Sequence, residues 1–276
     1  MNTYSNLTIV KDNLGIDVTD FDAILLRKLK WASRRIDAIC HRHFYVHSDS
    51  RVFDSEYRGH LFIDDILSIT SLKIDNEQDG NFDDETWTQG TDFILWPYNT
   101  YPKTEVLVTT FGNYDFPCLQ RSVQIVGLFG YGNGVDQNPV LDTGATTSGS
   151  WTASGLTLAV DDGTLLNVGD TILVDSEQLF ISSISSNNIT VEKRGINGTT
   201  GATHIDGTTI YRYTYPDDVM DLCAIMAGSA YARPDAGDLQ SERLGDYSYS
   251  RMADSGVRAT KQEQRILAPY IKEEVH

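Results

Sequence analysis

Asp20-Phe-Asp-Ala-Ile-Leu-Leu-Arg-Lys-Leu-Lys-Trp-Ala-Ser-Arg-Arg-Ile-Asp-Ala-Ile-Cys40 is the stretch on which the fold assignment turns. Phe21, Leu25, Leu29, Ala32, Ile36 and Ile39 recur at spacings of three and four, so one helical face is continuously apolar. Thr19 or Asp20 stands ready to cap the first turn, and Lys28, Lys30, Arg34 and Arg35 fall in the later part, where the helix dipole favours cations. A matching helix starts at Pro216, with Val219, Leu222, Cys223, Met226, Ala230 and Tyr231 as its apolar face up to Arg233, and Pro234 stops it. A last helix is expected from Val257 to Tyr270, its short apolar face being Ile266, Leu267, Tyr270 and Ile271, with Pro269 kinking or ending it.

Between these helices the texture is β. Leu61 to Ile63, Ile69 to Ile74, Thr91 to Leu95, Glu105 to Thr110 and Val123 to Leu128 are short runs of strand type, separated by Asp, Asn, Gly and Pro clusters. Pro97 and Pro102 belong to a turn between two of them, where a missing amide donor costs little. Gln137 to Gly155, rich in Gly, Ser and Thr, reads as a linker or loose loop. Strand texture then returns at Leu156 to Val160, Thr171 to Val174, Leu179 to Ile184, Ile189 to Val191 and Thr208 to Tyr213, with turn signals at Asp162-Gly163, Gly169-Asp170, Asn187-Asn188 and Asn197-Gly198. The expected fold class is therefore α+β: a small helical bundle with a short antiparallel β-sheet, formed by residues 1–135 and 215–276, plus an inserted all-β domain at 136–214. The two ends of such an insertion can lie close together.

At 276 residues the chain is long enough for two cores, and 40 % apolar with 10 % aromatic residues is the composition of a folded protein. A formal charge of -17 works against tight binding to phosphate backbones, which depends on Lys and Arg displacing counterions. Acidic walls could instead let DNA slide past without sticking. Cys40, Cys118 and Cys223 are few and far apart, which suits free thiols of a reducing compartment. Residues 1–10 lack the basic-then-apolar pattern of a secretory signal, and no window approaches the roughly 20 apolar residues of a membrane span. A soluble protein with no membrane partner is expected.

Chemistry is scarce. Asp75-Asn-Glu-Gln-Asp-Gly-Asn-Phe-Asp83 places oxygen ligands around Gly80 as a calcium loop does, but the twelfth position is Thr86 and no helices flank it, so it reads as a solvated acidic turn. His41, His43 and His47 follow a helix end with no Cys or carboxylate at ligand spacing, and read as structural. Beside His204 and Glu177 nothing resembles an activated nucleophile, and no Gly-rich phosphate loop occurs. Asn197-Gly-Thr reads as a tight turn rather than a glycosylation site. Trp151 with Tyr211, Tyr213 and Tyr215 reads as core, with a sugar platform as the alternative. No catalytic residues, cofactor or metal are expected, and the chain does not read as an enzyme.

A contact surface is the better expectation. Glu242-Arg-Leu-Gly-Asp-Tyr-Ser-Tyr-Ser-Arg251 is polar and tyrosine-rich between two helical blocks, with Tyr247 and Tyr249 two apart and Arg243 and Arg251 flanking them. Tyr and Arg are the types that most often anchor interfaces.

Five phrases taken in order carry a resemblance: Trp31-Ala-Ser-Arg-Arg-Ile-Asp-Ala-Ile-Cys-His-Arg-His-Phe44, Val123-Gln-Ile-Val-Gly-Leu-Phe-Gly-Tyr-Gly132, Pro216-Asp-Asp-Val-Met220, Leu244-Gly-Asp-Tyr-Ser-Tyr249 and Ile266-Leu-Ala-Pro-Tyr270. Together they resemble the head-to-tail connector (adaptor) proteins of long-tailed bacteriophages, over roughly the first 135 and last 60 residues. Where many relatives carry glycine before the Arg and Phe, this chain has His41, with an extra His43. The resemblance implies a non-catalytic virion protein of the neck, forming a homo-oligomeric ring, typically twelve-fold. That ring sits beneath the portal protein, receives neck, stopper or tail proteins, and lets DNA pass without specific binding. It places Arg243, Leu244, Asp246, Tyr247, Tyr249 and Arg251 at a subunit or portal contact, and Ile266, Leu267 and Tyr270 within a portal-engaging segment, 264–276. Val168-Gly-Asp-Thr-Ile172 and Val191-Glu-Lys-Arg-Gly-Ile-Asn-Gly-Thr-Thr200 resemble small β modules of phage structural proteins, which implies a decorating or bracing role for residues 136–214 on the outside of the ring. The alternative is a tail-completion or host-surface-binding protein whose β module grips a glycan. A wall hydrolase, the third class, lacks a paired acid and base.

Overall fold

The computed structural model has more strand than helix, and its strands form chiefly two six-stranded antiparallel sheets. It describes residues 2–110, 114–232, 241–244, 247–250 and 260–272. The expected helical bundle with a short sheet is corrected by this: among the described residues there are four α-helices, and β structure dominates. The cause is legible in the strands that were missed. His47–Phe53 (β1) and Val140–Thr146 (β7) bury almost none of their residues fully, so neither shows the apolar alternation that marks a strand in sequence. The stretch expected as a loose linker thus supplies an edge strand. Contacts divide the chain into two compact units, Met1–Asn2 with Arg42–Pro216, and Thr3–His41 with Asp217–His276.

In the helical unit, Leu7–Leu14 (α1) precedes Asp22–Cys40 (α2), Asp217–Ala232 (α3) and Lys261–Leu267 (α4). α1 was not anticipated. Asn6 caps it by accepting from the Ile9 amide at 3.2 Å, and Gly15 ends it in the left-handed conformation. α2 begins two residues later than expected, and neither Thr19 nor Asp20 caps it: Phe21 holds the N-cap position without a side-chain bond. Its buried face is Leu25, Leu29, Ala32, Ser33, Ile36 and Cys40, packed on α3. Phe21, expected in that face, is instead exposed. His41 closes α2 at φ 52°, in the left-handed conformation where a glycine would carry no Cβ penalty.

The first sheet comprises β1, His60–Ile74 (β2), Glu85–Trp87 (β3), Phe93–Trp96 (β4), Lys103–Val108 (β5) and Val123–Phe129 (β6), in the order β1-β6-β2-β5-β4 with β3 also on β2. Two runs expected as separate strands are one. β2 pairs with β5 through His60 to Ile66 and with β6 through Ile66 to Ile74, with register shifts at the change of partner. Leu61, Ile66, Leu72, Phe93, Val106, Phe116, Ile125 and Phe129 form the core of this sheet. Gly127 allows β6 to approach β2 closely: a Cβ there would stand 2.2 Å from the Ser68 carbonyl oxygen. The turn expected at Pro97 and Pro102 joins β4 to β5, with both X-Pro bonds cis.

β7, Thr157–Ala159 (β8), Thr171–Val174 (β9), Glu177–Ser185 (β10), Asn188–Val191 (β11) and Thr209–Tyr213 (β12) form the second sheet, in the order β7-β12-β9-β10-β11-β8. A bridge from Thr147 to Val160 brings the two edges together, which removes exposed sheet edges as barrels do. Trp151, Leu158, Ile172, Val174, Leu179, Ile181, Ile189 and Ile210 fill the interior. The ends of the segment meet, the Thr214 amide donating to the Pro139 carbonyl at 2.8 Å.

Candidate assembly surface

Ser241–Leu244 (β13) and Tyr247–Ser250 (β14) form an antiparallel hairpin with Leu244 opposite Tyr247, Arg243 opposite Ser248 and Glu242 opposite Tyr249. The segment singled out by its tyrosines is therefore extended, and Tyr247 and Tyr249 occupy alternate positions of one strand. Among the described residues no third strand pairs with either. Two strands alone are marginal in water, and their outer edges are templates for further pairing. Asp246 and Arg251 lie outside the described residues.

The C-terminal candidates are placed differently. Thr260 and Glu263 form a reciprocal capping box on α4, and Glu263 also pairs with Arg35 of α2 at 3.2 Å. Leu267 is fully buried within the helical unit, whereas Ile266 is half-buried. Half-buried Tyr270, in the 3-10 turn Ala268–Tyr270, donates to Asp218 at 2.7 Å. The Lys272 amide reaches the Cys40 carbonyl at 2.9 Å. The start of the expected last helix, 257–259, is outside the described residues, and 273–276 are too.

Two phrases of the resemblance meet in space. The amides of Tyr131 and Gly132 donate to the carbonyls of His43 and Phe44 at 2.9 and 3.0 Å, the rings of Phe44 and Tyr131 are 5.1 Å apart, and the Arg42 guanidinium lies 4.9 Å over Tyr131. Gly130, at φ 131°, passes so close to Tyr45 that a Cβ would stand 2.3 Å from its carbonyl oxygen. His43, Tyr45 and His47 stack in succession, and His47 rests on Phe129 with its ring 2.8 Å from Arg51. Burial, then the Arg51 charge, pull the His47 pKa below its usual value. These histidines pack rings, and no metal-holding group of three such residues occurs among the described residues.

The acidic turn is held by its own backbone. Asp75 accepts from the amides of Asp79 and Gly80, and Asp84 from those of Asn76 and Glu77. In the barrel, Glu177 is fully buried and accepts both Arg194 Nε and Nη2, at 2.8 and 2.7 Å, with the amides of Gly195 and Ala202. His204 bridges Glu177 and Asp175 at 2.8 and 2.7 Å. Burial pushes the Glu177 carboxyl up, but the bonds from Arg194, Ala202, His204 and Gly195 outweigh it and hold it at about 2. The cluster staples the 192–204 loop, with no nucleophile among these contacts. Trp151, Tyr213 and Tyr215 are buried, leaving only Tyr211 of that aromatic series exposed.

Sequence reading missed an aromatic row on the outer face of the first sheet. Phe62, Glu105 and Trp96 are paired across β2, β5 and β4, so they share one face, opposite to buried Leu61, Val106 and Leu95. Tyr57 and His60 stack beside Phe62, and Tyr98 stacks edge-on against Trp96 at 4.6 Å. The signal was the alternation within Leu61-Phe-Ile63 and Leu95-Trp96, where aromatic residues stand at the outward positions.

No family model matches the chain, and no curated protein matches it either.

Proposed function

We propose that this chain is a virion structural protein, the head-to-tail adaptor whose copies close into a ring beneath the portal and join the DNA-filled head to the neck and tail. The observation that carries the reading is the antiparallel pair Ser241–Leu244 and Tyr247–Ser250, paired only with itself among the described residues, with Tyr247 and Tyr249 at alternate positions of one strand. Such a pair is stabilised when another chain supplies the missing neighbour. The order of the five phrases supports the adaptor role in particular, and two of those phrases form one packed knot around Tyr131. The charge of -17 is compatible with a channel that DNA traverses without binding. Mixing the purified chain with its portal protein and imaging by negative stain tests the reading. A coaxial ring on the portal is the expected result, and portal particles without added density would remove it.

A further inference from the structure

Two aromatic faces of opposite charge are exposed on this chain. On α2, Ile24, Arg27, Lys28, Trp31 and Arg35 follow one another at spacings that place them on one side of the helix. Ile24 is 40 % and Trp31 47 % exposed, although both are large apolar side chains. Arg35 lies over the indole at 5.7 Å and is itself tied to Glu263, so Trp31 is held in place rather than free to fold inward. The second face is the outer row of the first sheet, where Tyr57, Phe62, Trp96 and Tyr98 are each exposed, Phe62 and Trp96 stand on either side of Glu105, and exposed Glu56 is next to Tyr57.

Charge is divided in the same way. The unit that contains this sheet holds 23 of the 39 acidic residues and only 9 of the 22 basic ones. α2 alone carries Arg27, Lys28, Lys30, Arg34 and Arg35 against Asp22 and Asp37, and Asp37 is buried. Copies with a net charge of -17 repel at long range, so a contact between them is favoured only where cations are concentrated and apolar surface is exposed on both sides.

We propose that α2 of one copy docks on the outer face of the first sheet of a second copy, Trp31 and Ile24 packing among Tyr57, Phe62 and Trp96 while Arg27 and Lys28 face Glu56 and Glu105. The inference rests on the self-assembly in the adaptor reading and specifies its contact. Because the two faces differ, each copy keeps one of each kind for its neighbours, and the association closes as a ring when the rotation per subunit allows.

Two variants test it: a helix-face variant, Arg27→Glu with Lys28→Glu and Trp31→Ala, and a sheet-face variant, Glu105→Lys with Phe62→Ser. Circular dichroism checks that both are folded, and native mass spectrometry with light scattering reads their assembly. Wild type is expected to self-associate, less so as salt rises, and each variant alone at least about 30-fold more weakly, as loss of an interface anchor implies. Mixed together, the variants should form a one-to-one dimer and nothing larger, since each supplies the face the other lacks. The contact is overturned by variants that assemble like wild type, by a mixture that stays monomeric, or by a wild-type chain monomeric up to about 1 mM. Intact rings in both variants would discard the contact and leave the adaptor reading in place, whereas a portal that gathers no ring removes that reading by its own experiment.

Discussion

Replacing Glu177 by Gln keeps the shape of a side chain that has no solvent exposure and removes its charge. The carboxylate takes five donors: two from Arg194, one each from the Gly195 and Ala202 amides, and one from His204. An amide cannot accept at both ends, so the Arg194 guanidinium, itself nearly buried, keeps its charge and loses its ionic partner. A carboxyl held at about 2 rather than its ordinary 4.5 contributes about 3 kcal/mol to folding at neutral pH. The native value is depressed, so this stability is complete above pH 4.5 and is lost as pH falls through about 2. Expected at pH 7 is a loss of about 3 kcal/mol, with amides of the 192–204 loop exchanging roughly 100-fold faster where local opening governs exchange. Urea unfolding followed at several pH values, with hydrogen exchange read by mass spectrometry, measures both. Stability within about 1 kcal/mol of wild type at pH 7, or a deficit unchanged near pH 2, would refute the assignment of that cluster as the loop's staple.

Changing Tyr247 and Tyr249 together to Ala should abolish ring or portal assembly while the far-ultraviolet circular dichroism stays that of wild type; assembly at wild-type levels would remove the hairpin from the contact. Only exposed Cys118 should react with a thiol reagent in the native protein at pH 8. Cys40 is buried, and the Cys223 thiol is pushed up to about 11 by burial, against a weaker opposing bond from Ser33, so both should react only on unfolding. Gly127→Ala should destabilise by about 1–3 kcal/mol or more, since its Cβ would press on the Ser68 backbone, and a melting temperature equal to wild type would contradict the close approach of β6 and β2.

The candidate surface was half legible. Tyr247 and Tyr249 stood out because polar tyrosine-rich segments seldom build cores, and strand spacing could be guessed from their separation of two. Leu267 was placed in a portal-engaging segment by the resemblance, yet it is buried as the anchor of α4. A short apolar stripe looks the same in sequence whether it meets its own unit or a neighbour. The sheet face with Phe62 and Trp96 was missed because outward and inward aromatics differ only in parity, and parity is set by a register that pairing partners decide.

Local pattern determined α2 and α3, the turn at Pro97 and Pro102, and five barrel strands, each of which puts apolar residues into the barrel core and so can be read one at a time. What only the tertiary structure decided is how much of the chain is sheet. β1 and β7 exist because β6 and β12 offer them hydrogen bonds, and β2 is one bent strand because it changes partners at Ile66. Backbone pairing carries no side-chain signature, so strands that owe their form to a neighbour's amides and carbonyls stay silent until the neighbour is in place.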